Sequence, residues 1–203
     1  MMQGITAETK IRERLDASGK RRFLFTVKYG KLVQVNILLL SNLLRATSRK
    51  VMFISIDRPH KYIELLLTKK KVPLENVVFV DIATRADGGK LGDVKNMLGV
   101  GGFFWLKLMA NTFDNVYLAR SVKCENIDFA DFDYIVIDNI AVLPVYNSEA
   151  AIMEFFKEFD DILRNHPRLR SALVTPREMH AKMFHLVSTF SEDILDIREE
   201  WLT

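Results

Sequence analysis

The segment Asp133-Tyr134-Ile135-Val136-Ile137-Asp138 is an apolar run that closes on an aspartate, with Asn139-Ile140-Ala141 directly behind it. A strand covered on both faces has no solvent side, so buried parallel strands read as unbroken apolar runs instead of alternating ones. The same pattern recurs in Phe23–Val27, in Val51–Asp57 and in Val77–Asp81, the last two also closing on an acid. Ligands of parallel sheets are handled beyond the carboxyl ends of the strands. An acid there stands where a metal, a nucleotide or a polar loop is met.

Between these runs lie amphipathic stretches. Ile5 to Ala17 reads as a short helix ended by Ser18-Gly19. The basic triplet Lys20-Arg21-Arg22 follows, as a solvated helix end or a patch for an acidic partner. The spacing predicts a strand over 22–27, a turn at Lys28–Lys31 and a helix over 32–47. A strand over 51–57 comes next, then a helix opened by Pro59 and closing near Lys69–Lys71, then a strand over 77–81. Residues 83–102 hold most of the chain's nine glycines, the mark of a functional or mobile loop. Phe103–Met109 is apolar on all sides, so it reads as a buried helix or as a surface for a partner. Val116–Leu118 is a short strand candidate. After the strand at 134–138, Asn147-Ser148 caps a helix over 149–165. A strand over 170–175, a helix over 176–187 and a strand over 194–197 complete the order. Such alternation implies right-handed crossovers and a mostly parallel sheet with helices on both faces.

The chain's 203 residues suit one α/β domain. A formal net charge of +3 does not by itself argue for nucleic acid. Cys124 is the single cysteine, so no intramolecular disulfide can form, which fits a reducing compartment. No apolar run reaches the ~18 residues of a membrane span. Met1–Arg22 lacks the apolar stretch of a signal peptide, so the expected location is cytoplasmic. No G-x-S-x-G or G-x-G-x-x-G appears, and His60, His166, His180 and His185 have no metal-ligand spacing.

Three segments together resemble the RecA-like ATPases, and within them the KaiC-like group. They are Phe53-Ile54-Ser55-Ile56-Asp57-Arg58-Pro59, Val78-Phe79-Val80-Asp81, and Tyr134 through Leu143 with Tyr146-Asn147 following. The last resembles the family's Walker B strand. The match runs loosely from Phe23 to Ile197. It implies a three-layer α/β/α sandwich with a mostly parallel central sheet, the RecA-like P-loop NTPase fold. Residues 1–203 then form a single RecA-like domain, with 1–21 as an N-terminal helix extension and 83–110 as a glycine-rich loop and apolar segment.

By the same resemblance Asp138 is the Mg²⁺ ligand, Asp57 stands where the family's catalytic glutamate lies, and Gly30 and Lys31 are what remains of the nucleotide-binding loop. That loop must cradle a triphosphate with backbone N–H groups at a helix N-terminus, supply a lysine to the phosphates and place a hydroxyl on Mg²⁺. It belongs at Lys28–Val35, and G-x-x-x-x-G-K-[ST] is absent there and throughout the chain. Only Gly30 remains to allow a strained backbone, and Tyr29, Leu32 and Val33 would crowd a phosphate. Asp57 is one methylene shorter than glutamate.

The reading that follows is a non-catalytic RecA/KaiC-like homologue, a regulatory or interaction module. No cofactor is expected, and protein partners or self-association are. One alternative is an active ATPase with a divergent phosphate loop, using ATP and Mg²⁺. Another is a DNA-binding recombinase-like paralogue, gripping nucleic acid through Arg85, Lys90 and Lys95 with Lys69–Lys71 and Arg21-Arg22. Arg177 is a candidate phosphate sensor or a solvated helix-start arginine.

Overall fold

The computed structural model describes residues 6–16, 19–45, 49–81, 116–118, 122–123 and 128–202. Helix α1 (Ala7–Asp16) leads into β1 (Arg22–Val27), and a single 3-10 turn at Tyr29–Lys31 passes straight into α2 (Leu32–Arg45). Then come β2 (Val51–Ser55), α3 (His60–Lys69), β3 (Val77–Asp81), and the short strands β4 (Val116–Leu118) and β5 (Val122–Lys123). The chain continues through β6 (Tyr134–Asp138), α4 (Leu143–Tyr146), α5 (Glu149–Asn165), β7 (Arg170–Pro176), α6 (Ala181–Phe190) and β8 (Asp193–Asp196).

The strands form one sheet in the order β5-β4-β3-β2-β6-β7-β1-β8. The six from β3 to β8 pair in parallel, whereas β4 and β5 are antiparallel additions at one edge. The result is a three-layer α/β/α fold with a mostly parallel sheet. Alternate residues of each strand face opposite layers. Phe23, Phe25, Phe53, Phe79 and Val136 meet α1, α2 and α3, while Leu24, Met52, Ile54, Ile135 and Leu173 meet α5 and α6. Helices α2 and α3 carry the chain along the sheet in one direction, and α5 and α6 carry it in the other. Right-handed crossovers running opposite ways must lie on opposite faces, which is why both faces are covered.

Local chemistry sets the element ends. Ser148 caps α5, its Oγ accepting from the Ala151 N–H at 3.3 Å. The helix buries Ile152, Phe155, Phe156, Phe159 and Leu163, one residue every three or four, as an amphipathic helix on a sheet must. Helix α1 buries Ala7, Ile11 and Leu15 in the same core as α2. At its end the Leu15 carbonyl accepts from the Tyr134 hydroxyl at 3.2 Å and from Arg170 Nη1 at 2.9 Å.

Several details differ from the sequence reading. Strand β2 ends at Ser55, so Asp57 lies in the bend beyond it: the Ser55 hydroxyl donates to the Arg58 carbonyl at 2.6 Å and turns the chain. Pro176 is the last residue of β7, opposite Val27, and α6 begins only at Ala181. Within Lys20-Arg21-Arg22, Lys20 remains half-exposed while both arginines are tied into the fold. Arg21 donates to the carbonyls of Leu163, His166 and Leu169 at the C-terminus of α5, where a cation is favoured, and Arg22 pairs with Asp160 and Glu192. Lys69, Lys70 and Lys71 are exposed, as expected. The glycine-rich loop, Phe103–Met109, Arg85, Lys90, Lys95 and Cys124 lie outside the described residues. Among the described residues, no helix is long and apolar enough to cross a membrane.

Candidate functional site

Strands β2 and β6 are neighbours, but the chain leaves β2 toward β3 and leaves β6 toward β7. Where connections diverge in this way a crevice opens at the carboxyl ends, the usual ligand position in such sheets. The residues at its mouth are Ser55, Asp57 and Arg58 from the β2 side and Asp138 and Asn139 from the β6 side. The backbones are joined there, the Ile56 N–H donating to the Asp138 carbonyl at 2.6 Å. The topology therefore brings together the two acids singled out in the sequence.

What lies between them is a guanidinium. Arg58 grips Asp57 as a fork, Nε to Oδ1 at 2.8 Å and Nη2 to Oδ2 at 2.9 Å. The same Nε stands 3.5 Å from Asp138 Oδ2. Asn139 Nδ2 also donates to Asp57 Oδ2, at 3.2 Å, while its Oδ1 accepts from the Ala141 N–H and caps the following 3-10 turn. The side chains of Arg58 and Asp57 are mostly buried, and that of Asp138 is entirely so, at 0% exposure.

Asp138 pays for that burial in its ionisation. Desolvation pushes its carboxyl up to about 7, with the charge of Asp57 pushing the same way and Arg58 and Asn36 opposing. Neither carboxylate oxygen has a hydrogen-bond partner. Asn36, on α2, is completely buried and its amide is also unpartnered, so its dipole eases the charge on Asp138 without reaching hydrogen-bond geometry. Burial alone would lower Arg58. The hydrogen bonds to Asp57 and the charges of Asp138 and Asp57 reverse that and hold it above its usual value.

The turn expected to hold phosphate has another form. Tyr29–Lys31 is one 3-10 turn, closed by the Lys31 N–H on the Lys28 carbonyl at 2.8 Å. Gly30 is not in the left-handed region, and a Cβ added to it would meet nothing within 4 Å. It therefore relieves no strain, contrary to the expectation from sequence. Leu32 does not crowd the crevice either, because it is buried in the core against α2 and α3, whereas Tyr29 stands 63% exposed. The Tyr29 N–H donates to Glu178 Oε2 at 3.2 Å, and Lys28 pairs with Glu199 at 3.2 Å. Lys31 is half-buried. Arg177 is exposed, as a solvated arginine would be, and lies four residues before α6; it ties Asp196 at 2.8 Å and the Ile197 carbonyl at 3.1 Å, joining the ends of β7 and β8.

Sequence reasoning missed Arg58 and Asn36. Both carried a signal. Asn36 is a polar residue on the apolar face of Leu32–Leu44, one turn from Leu32 and one from Leu40. Arg58 follows directly on a strand-end acid, and a buried carboxylate needs a counter-charge from somewhere. Among the described residues no group of three or more His, Cys, Asp or Glu is arranged to hold a metal. No protein-family model matches this chain, and no curated protein matches it.

Proposed function

We propose that this chain is a non-catalytic relative of the RecA/KaiC-like ATPases that works as a regulatory or interaction module. The observation that carries the reading is the place of Arg58. Its guanidinium lies against both acids that the resemblance assigns to catalysis, where the family's chemistry requires a magnesium ion and a polarised water. The strand-end arrangement supports the ancestry: two acids on adjacent parallel strands, at the crevice where the connections diverge. The turn after β1 supports the loss of activity.

The residues present do not fit Mg²⁺ with a triphosphate. The hydroxyl nearest in sequence to Asp57, that of Ser55, is donated to a carbonyl, and Asp57 is held by Arg58 and Asn139. The Tyr29–Lys31 turn has no run of bare amides to receive phosphate oxygens.

Calorimetry with ATP and Mg²⁺ tests the reading, and no binding in the micromolar range is expected. Micromolar binding accompanied by turnover that Asp138→Ala abolishes would overturn it. Light scattering coupled to size exclusion tests the other half, since an interaction module should appear in an assembly in cell extract. A chain that elutes as a bare monomer both pure and in extract would remove that half.

A further inference from the structure

The opposite end of the sheet carries a second feature. A cavity of about 410 Å³ opens at the amino ends of β1, β6 and β7, lined among others by Lys20, Arg21, Arg49, Arg168 and Arg170, with Asp133 the one acid. Its framework is braced through the backbone. The Asp133 N–H donates to the Lys50 carbonyl at 2.9 Å, the Arg170 N–H to the Asp133 carbonyl at 2.9 Å, and the Ser171 N–H to the Arg21 carbonyl at 2.7 Å.

The charge here is not balanced. Lys20 pairs with Asp193 at 3.0 Å and Arg49 with Asp16 at 3.1 Å. Arg168, at 91% exposure, only approaches Asp133, at 3.6 Å, and the other oxygen of Asp133 already accepts from the Lys50 N–H at 2.9 Å. Arg21 and Arg170 have no carboxylate partner among the described residues. Arg21 donates to backbone carbonyls, and Arg170 donates to the Leu15 carbonyl and the Tyr134 hydroxyl. Two guanidinium charges are thus fixed in place by neutral acceptors. Tyr134 adds to the fixing: the guanidiniums of Arg49 and Arg170 lie 5.6 and 5.9 Å from its ring centroid.

We propose that this cavity binds the phosphate group of a small phosphorylated molecule. Arg170 commits only Nη1, so its Nε–Nη2 edge is a pre-placed fork that matches two phosphate oxygens and loses little freedom on binding, whereas Arg21 commits Nε and Nη2 and contributes mainly its charge. The volume falls within the range of small-ligand sites. The cations line a recess and not an extended stripe, and the net charge is only +3, which favours a small anion over a nucleic-acid backbone. The site is separate from Asp57 and Asp138, so it stands whether or not those residues are retired.

The test is calorimetric titration of the full chain with inorganic pyrophosphate at about 0.1 M salt, where exposed charges are already screened beyond roughly 10 Å. Saturable millimolar or tighter binding is expected. Arg168→Glu, at an exposed position, should weaken it at least tenfold with the fold intact by circular dichroism. Lys182→Glu makes the same charge change outside the cavity on α6 and should leave it within twofold. Arg170→Gln should also abolish binding, and Arg168→Glu decides the matter if that variant does not fold. No pyrophosphate binding, equal loss in Lys182→Glu, or tighter binding of single-stranded DNA than of pyrophosphate would each overturn the proposal.

Discussion

At the carboxyl ends of β2 and β6, two carboxylates and one guanidinium are packed together almost out of reach of water. At the amino ends of β1, β6 and β7, five cations share an open recess with one carboxylate. The first group is closed on itself, since every charge has an internal neighbour of opposite sign. The second has more positive charge than the described residues supply negative charge to meet. A parallel sheet is expected to handle ligands at the former end. Here the surplus of accessible charge lies at the latter. A fold's usual binding position and its chemically receptive position can come apart once a side chain has filled the first.

Removing the counter-charge should disturb the closed end most. Arg58→Ala removes the cation from Asp138 and the fork from Asp57 together; Asp138 can take up a proton, which at pH 8 caps its share at about 1.4 kcal/mol, and with the lost hydrogen bonds of Asp57 the cost comes to about 3–4 kcal/mol. Urea unfolding should register that loss at pH 8 and a distinctly smaller one at pH 5, where the carboxyl retains its proton. Equal losses at both pH values would mean that Arg58 stabilises by packing alone.

The next effect needs no mutation. The Asp138 carboxyl ionises near its ordinary value of 3.8 in the unfolded chain and near 7 in the folded one. Between those values the unfolded chain releases a proton that the folded chain keeps. The contribution is therefore fully present below 3.8 and is lost as pH rises to about 7. At 1.36 kcal/mol per unit the full fall is roughly 4 kcal/mol. Asp138→Asn should flatten this part of the pH profile and be more stable than the parent at pH 8. A slope unchanged in Asp138→Asn would place the titration elsewhere.

At the open end, Arg21→Ala removes the donor to three carbonyls that close α5. A loss of about 2 kcal/mol in denaturant unfolding is expected, in the range for charge-assisted hydrogen bonds. A neutral result would mean that water replaces the guanidinium without cost, and the recess would then be less rigid than its geometry implies.

The smallest effect belongs to Gly30→Ala. A glycine in a phosphate cradle cannot accept a methyl group, but this one has open space around its Cβ position and ordinary backbone angles. The substitution should raise stability by about 0.5 kcal/mol through the unfolded chain. Marked destabilisation would reopen the question of a strained, ligand-shaped turn after β1.

The sheet was readable because its strands are buried on both faces. The runs Arg22–Val27, Val77–Asp81 and Tyr134–Asp138 have the boundaries that their apolar lengths predicted. Helix α5 was readable from Ser148 and its regular aromatic spacing. The start of α6 was not, because Pro176 suits the last residue of a strand as well as the first turn of a helix. At the candidate site, the partnership of Asp57 and Asp138 followed from strand ends alone. The role of Arg58 did not, because which cation reaches a buried acid depends on how the chain bends after Ser55, and periodicity says nothing about that bend. Of the basic recess, the sequence singled out only Lys20 and Arg21, as a possible patch for an acidic partner, and the rest was hidden for a related reason. Its cations come from short segments before β1, β2 and β7, far apart in sequence, and only the strand order gathers them.

The docking of α1 has a practical side. Its Leu15 carbonyl meets both Tyr134 and Arg170, and its apolar face packs in the same core as α2. Removing those ten residues would strip a wall from the interior and loosen two anchors of the recess at once.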